Sequence, residues 1–228
     1  MSVTCIVPVY NGARFLTEAL ESVLSQEVDD LDVLVVDDGS TDDTSEVLAS
    51  FGARIRVVRQ SNAGPAAARN RGIAETDSEF VAFQDCDDLW TPGRLRAQLG
   101  AFAERPGLEI CGGMVQNFWM PELAAEAAGY AGTPFSKPQP GYTFPTVLAR
   151  REVFERIGAI DVSLSVGEDN DWFLRARDAG VEQHVLPEVV LRRRLHSGNL
   201  TRGDLASREA LLRNMKASLD RRRAGGSV

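Results

Sequence analysis

Three apolar runs in the first ninety residues each break off at polar or acidic residues. Residues 3–9 (VTCIVPV) run into Tyr10-Asn11-Gly12. Residues 32–36 (DVLVV) run into Asp37-Asp38-Gly39-Ser40, and residues 80–83 (FVAF) into Gln84-Asp85-Cys86-Asp87-Asp88. Stretches of helical period lie between them. Phe15, Leu16, Ala19, Leu20, Val23 and Leu24 recur on one face, Thr41 or Asp42 can cap a helix reaching Phe51, and the Ala-rich 64–74 segment can begin its helix at Pro65. Residues 55–58 supply a further strand. Continuous apolar strands alternating with helices specify a mostly parallel sheet buried on both faces, an α/β fold of Rossmann-like type. In such sheets ligands bind beyond the carboxyl ends of the strands. The topology therefore predicts that three acidic or polar stretches, distant in sequence, meet on one rim.

The second half is less regular. Helices are expected at 95–102, 150–157 and 168–179, and strands at 108–116 and 183–191. A structureless loop is expected over 117–143, which is rich in Pro, Gly and aromatic residues. From about 204 to 223 a helix is expected with Leu205, Leu212, Met215 and Leu219 on one stripe, followed by a frayed tail. The division that follows is one domain over 1–200, with halves at 1–90 and 91–200, and an amphipathic helix and tail over 201–228. With 43% apolar residues the chain can build a core, and a net charge of −8 argues against a nucleic-acid binder. Cys5, Cys86 and Cys111 are odd in number and lack C-x-x-C spacing, so buried thiols in a reducing compartment are expected. Residues 1–10 read as a first strand, not a signal peptide. No apolar run is long enough to span a bilayer, so the expected location is cytoplasmic, with at most peripheral membrane contact.

Chemistry concentrates in five places. Asp85, Asp87 and Asp88 crowd three carboxylates into four residues, which repel unless a cation sits among them; a hard ion such as Mg2+ or Mn2+ suits that geometry. A turn followed by a helix cap explains the same residues equally well. Asp37 and Asp38 can accept from a base imide or a ribose hydroxyl. The small residues of 63–68 allow close approach to a ligand, and Arg69 can reach a diphosphate. Glu168 and Asp169 fit either a helix start or a general base. In 192–199 (RRRLHSGN) the arginines can neutralise phosphates and His196 can complete a metal site, although basic runs are more often solvated.

Taken together, VPVYN (7–11), DDGSTDDT (37–44), AGPAAARNRGI (63–73), DCDD (85–88), GEDNDW (167–172) and RLHSGN (194–199) resemble, in order, the motifs of family 2 glycosyltransferases. That resemblance implies the GT-A fold, with 1–90 as the donor half and 91–200 as the acceptor half, and inverting transfer of a sugar from a nucleoside diphosphate, with UDP expected, to an acceptor hydroxyl. It implies that Pro8 and Tyr10 line the base pocket and that Asp38 bonds the base. Donor contacts extend to Asn11, Asp37, Gly64, Arg69, Asp85 and Cys86. Asp87 and His196, with Asp85, would hold Mn2+ or Mg2+. Asp169 would be the catalytic base, with Glu168 as second choice.

Direct displacement needs no protein nucleophile, which suits a chain without a Ser-His-Asp or Cys-His signature. A nucleotidyltransferase on a similar scaffold would normally carry a Gly-rich basic loop early in the chain, and residues 7–14 offer little of it. A nucleotide-sugar-binding protein without activity would have little use for an intact base motif. The acceptor, a glycan, a lipid-linked or another hydroxyl compound of the cell envelope, is expected against Trp119 and Trp172. Tyr130, Phe135 and Tyr142 are further aromatic faces in 117–143. The terminal helix, ending in Arg221-Arg222-Arg223, is expected to pack on the body or on a second subunit, with an anionic membrane as the less favoured surface.

Overall fold

The computed structural model describes residues 1–199 and 205–225. Its elements are β1 (Val3–Val9), α1 (Ala13–Leu24), β2 (Leu31–Asp37), α2 (Thr44–Phe51), β3 (Arg56–Arg59), α3 (Pro65–Ala74), β4 (Phe80–Phe83), β5 (Leu89–Trp90) and α4 (Arg94–Glu104), then β6 (Ile110–Trp119), α5 (Ala124–Tyr130), β7 (Gln139–Pro140), β8 (Leu148–Arg150), α6 (Arg151–Ile157), α7 (Glu168–Asp178), β9 (Gln183–Leu195) and α8 (Leu205–Gly225). One sheet runs β3-β2-β1-β4-β8-β6-β9-β5, with β7 paired to β6. The first four strands in that order are mutually parallel, and the register sets Val9 beside Asp37 and Ile6 beside Phe83. The ends of β1, β2 and β4 therefore share one rim. The parallel β6–β9 pair extends the sheet past the antiparallel β8, so the two halves of the chain share one sheet.

All seven residues of β1 are buried, because helices cover both faces. Val3, Cys5, Val7 and Val9 join one core with the inner faces of α1, α2 and α4. Ile6 joins a second core with α3, α6 and α7. The period-two alternation of a strand thus feeds two separate hydrophobic layers. Helix α3 approaches β1 closely at Gly72, where a Cβ would lie 2.4 Å from Ile6 Cγ2. Gly72→Ala should therefore destabilise by about 1–3 kcal/mol through overpacking. Thermal denaturation should register a lower Tm, and an unchanged Tm would contradict this contact.

Four expectations change. Residues 117–143 are not a bare loop: β6 continues to Trp119, and the Ala- and Glu-rich stretch folds as α5. The short strands β5 and β8 add pairs that their length hides from periodicity. Strand β9 runs four residues beyond 191, so the basic run is pulled into the sheet, and Arg194 is only 4% exposed. Helix α8 is turned over. Its buried stripe is Ala210, Asn214 and Ser218, whereas Leu212, Met215 and Leu219 face outward. The tail at 226–228, the first residues of the predicted helix before 205 and the side chain of Leu205 lie outside the described residues.

Candidate active site

The rim is built first by the ends of β1 and β2. Asn11 takes a left-handed conformation (φ 52°), which an Asn tolerates. From there its Oδ1 accepts from the Thr41 and Asp42 N–H groups at 2.8 and 3.3 Å, while its own N–H donates to Ser40 Oγ at 3.0 Å. Asn11 thus fastens the turn after β1 to the turn after β2. Asp37 accepts from the Ser40 N–H at 2.8 Å and faces Arg59 at 3.4 Å. Asp38 Oδ1 accepts from Gln60 Nε2 and the Ala63 N–H, and its Oδ2 from the Gly64 N–H at 2.8 Å. With 3% exposure, Asp38 is a clamp on the loop that leads into α3. Gln60 was not expected in this role, and only its distance in space to Asp38 reveals it. Pro8 is buried in β1, whereas Tyr10 is half exposed above the rim. Gly64 sits at φ 89°, a conformation that favours glycine, directly before α3.

From α3, Arg69 reaches across the rim. It is 6% exposed, and its two terminal nitrogens bind Asp85 at 2.8 Å and Glu168 at 3.0 Å while its guanidinium lies 5.3 Å from the Phe144 ring centroid. One cation so joins the loop after β4 to the start of α7, a link between residues 85 and 168 that a sequence does not display. Asp87 turns the other way. Its Oδ2 meets His196 Nε2 at 3.0 Å and the Asn199 amide nitrogen at 3.1 Å. Asn199 also accepts from the His196 N–H at 2.7 Å. It closes the RLHSGN segment, the signal by which it could have been found. Asp88 accepts from the Arg194 N–H at 2.8 Å, and Arg194 itself bonds the Asp87 carbonyl and Glu18. The arginine is therefore spent on the protein, not offered to a phosphate.

The electrostatics follow from this crowding. Burial and neighbouring carboxylates push Asp87 up and Asp88 well up, with His196 acting against the shift at Asp87. The half-buried Cys86 thiol, desolvated beside three carboxylates, is also driven well above its usual range, so Cys86 is a small neutral filler beside Gly12. Such surplus negative charge suits a divalent cation. Among the described residues, however, no group of three or more His, Cys, Asp or Glu side chains is arranged to hold one. Asp85, expected as a third ligand, is engaged by Arg69 instead. The donor set that remains, Asp87 with His196, matches an ion that takes one or two protein ligands and completes its shell with phosphate oxygens and water. His196 Nδ1 accepts from the Gly198 N–H at 3.1 Å, which assigns the ring proton to Nε2, facing Asp87. Ligation through Nε2 would require that proton to leave.

At the start of α7 the two adjacent carboxylates differ. Glu168 is occupied by Arg69. Among the described residues Asp169 accepts from the Asn170 N–H alone, at 2.7 Å, and burial together with Glu168 pushes it up to about 6. A carboxylate with that value is mostly ionised at neutral pH and still basic enough to take up a proton, as a general base requires. Trp172 corrects an expectation. It is fully buried, stacked on Phe154 at 4.6 Å between ring centroids, and its Nε1 donates to the Gly158 carbonyl. It belongs to the core and presents no face to an acceptor. Trp119 is half-buried, stacks on Tyr130 and meets the edge of Phe135, and its indole N–H bonds Glu126.

A curled, mostly parallel sheet with acidic clusters at its carboxyl rim defines the GT-A fold, and the comparisons agree. Residues 4–158 match the family model described as Glycosyl transferase family 2, and the chain belongs to that family. Among relatives, an uncharacterized glycosyltransferase of Rickettsia typhi is 29% identical over 220 residues, covering 87% of this chain and 65% of its own length. The uncharacterized glycosyltransferase EpsJ of Bacillus subtilis is 30% identical over 218 residues, covering 87% and 62%. The chain thus spans less than two thirds of these relatives. Among solved structures, Staphylococcus aureus TarS 1–349 in complex with UDP-GlcNAc superposes with a TM-score of 0.74 at 20% identity, covering 97% of this chain and 65% of that one. The mannosyltransferase PcManGT of Pyrobaculum calidifontis, in complex with GDP-Man and Mn2+, gives 0.63 at 22%, covering 99% and 76%.

Proposed function

We propose that this protein transfers a sugar from a nucleoside diphosphate to an acceptor hydroxyl in one displacement, with inversion. The observation that carries the reading is the division of labour around Arg69. Arg69 pairs with Asp85 and Glu168, and Asp169 beside them, with no ion pair among the described residues, is raised to about 6. In the proposed step Asp169 accepts the hydroxyl proton. The acceptor oxygen forms the new bond to the anomeric carbon, and the bond to the diphosphate oxygen breaks. Asp87 and His196 would hold a divalent cation there, and such an ion, when bound, neutralises charge on the departing diphosphate. The TarS complex with UDP-GlcNAc supports a uridine donor, and the PcManGT complex with GDP-Man and Mn2+ supports the metal.

The experiment incubates the protein with UDP-sugars and GDP-sugars, with and without Mn2+, and resolves the products by mass. Release of UDP or GDP with a glycosylated acceptor supports transfer. Pyrophosphate release would mark a nucleotidyltransferase, and binding with no product would mark an inactive binding protein. The metal has its own test. In calorimetry, Asp87→Ala should lose the Mn2+-dependent part of UDP affinity, roughly tenfold or more. Retained Mn2+ enhancement in that variant would remove Asp87 from the metal site.

A further inference from the structure

Four consecutive backbone carbonyls between α6 and α7 are each captured by a side chain. Arg175 donates to the Ile157 carbonyl at 2.8 Å and to the Ala159 carbonyl at 2.9 Å. Trp172 Nε1 donates to the Gly158 carbonyl at 3.1 Å. Asn70 Nδ2 donates to the Ile160 carbonyl at 2.8 Å, and Asn70 Oδ1 accepts from the Ile160 N–H at 2.9 Å. Buried peptide groups outside helices and strands need such partners, and Ile160 is 1% exposed. Trp172 and Arg175 belong to α7, whereas Asn70 belongs to α3. We infer, on the reading that Asp169 is the base, that Asn70 is a positioning residue: through residues 157–160 it fixes α7, and with it the Asp169 carboxylate, relative to the donor rim.

The chain of contacts is short. Helix α3 is set against β1 at Gly72, where a Cβ would meet Ile6. Asn70, on the same helix, pairs both the N–H and the carbonyl of Ile160, as a residue of a neighbouring strand would. An amide suits this task because it donates and accepts at once. The Ile160 side chain joins the core that holds Ile6, Phe154 and Trp172. Residues 157–159 then grip α7 through Trp172 and Arg175, and Arg175 is itself held by Asp171 at 2.8 Å. Trp172 stands one helical turn after Asp169, so its bond to Gly158 sets the depth of the turn that carries the base. Adjacent residues of α3 thus hold α7 in two ways, Arg69 by charge at Glu168 and Asn70 through the backbone. Glu168, Arg69 and Asp85 are the charged groups that act on Asp169, and residues 157–160 (IGAI) carry no charge. Asn70 therefore acts on the carboxylate by placing it, not by altering the charge around it.

The test compares wild type, Asn70→Leu and Asn70→Gln, with the donor and acceptor that the product screen identifies. Leu keeps the volume of Asn70 but neither hydrogen bond, and Gln keeps both groups one methylene farther out. Rates are taken per folded molecule, below the Tm of every variant. Asn70→Leu should lower kcat about 10- to 100-fold, as a misplacement of up to about 1 Å does. Its nucleotide affinity in calorimetry should stay within about twofold of wild type, because the interaction lost serves the base and not donor binding. The acid limb of kcat/KM should move below about 6, because a loosened turn lets water reach the Asp169 carboxyl. Asn70→Gln should recover part of kcat. If wild type transfers sugar while Asn70→Leu has a lower Tm but an unchanged kcat and limb, the inference is overturned and Asp169 still stands as the base. Wild type that makes no glycosylated product would overturn the functional reading itself, and the inference with it. Should Asn70→Leu fail to fold, Arg175→Lys, which weakens the hold on the Ile157 and Ala159 carbonyls, should show the same fall in kcat and the same shift of the limb. An unchanged kcat and limb there would equally overturn the inference.

Discussion

Asp169→Asn should leave the protein folded and able to bind a nucleotide sugar while lowering kcat by about 10²- to 10⁴-fold, the usual contribution of a positioned general base. The substitution keeps Oδ1, and with it the bond from the Asn170 N–H, so local geometry should persist. The wild-type rate should rise with pH through about 6, where Asp169 loses its proton, and the variant should lack that limb. Stability should move the opposite way. Asp169 holds its proton more tightly in the folded chain than its ordinary value of 3.8. The folded state therefore binds more protons than the unfolded state between those values, and stability falls as pH rises from about 4 to about 6. Above that window wild type bears the whole cost of the buried charge. Asp169→Asn should thus have the higher Tm at pH 8 and an equal one near pH 4. A variant with normal turnover would exclude Asp169 as the base, and one that melts below wild type at pH 8 would contradict its environment.

That environment was only partly legible in the sequence. The strand ends at Asp37, Asp85 and Asp87 can be read because parallel topology alone carries them to one rim. The split between Glu168 and Asp169 depends on Arg69, which is 99 residues from Glu168 in sequence and reaches it only through the packing of α3 against β1. Asp85 left the metal set for the same reason. Trp172 was misjudged because its partners Phe144 and Phe154 come from separate segments that close around it. Helix α8 was read by hydrophobicity, which cannot register that Asn214 and Ser218 find partners at Gly167 and Asp178. Satisfied polar groups can be buried at little cost, so a polar stripe took the inner face. Arg194 looked solvated because a basic run gives no hint that β9 continues through it, whereas Arg192 does remain exposed. Arg192 lies over Phe118 at 4.8 Å, and Arg194 over Phe15 at 4.6 Å.

Arg69 is also where the largest combined loss is expected. Arg69→Met keeps most of the apolar stem but strips the cation from Glu168, which is 14% exposed, and from Asp85, which is 35% exposed. Removing one partner of a buried pair commonly costs about 3–5 kcal/mol; because Asp85 retains solvent, about 2–4 kcal/mol is expected here. Activity should change in a way that general destabilisation does not produce. The positive charge of Arg69 holds the Asp169 carboxyl lower than burial and Glu168 alone would leave it. Without it Asp169 should keep its proton to higher pH, and the acid limb of kcat/KM should move above 6. Arg69→Lys, which retains charge but not the two-pronged geometry, should restore the limb toward its wild-type position while recovering only part of the stability. The two variants together separate charge from shape. If Arg69→Met unfolds outright at assay temperature, Arg69→Lys still reports through its pH profile. A folded Arg69→Met with an unmoved acid limb would mean that the guanidinium holds the loop after β4 and the start of α7 together without tuning the base between them.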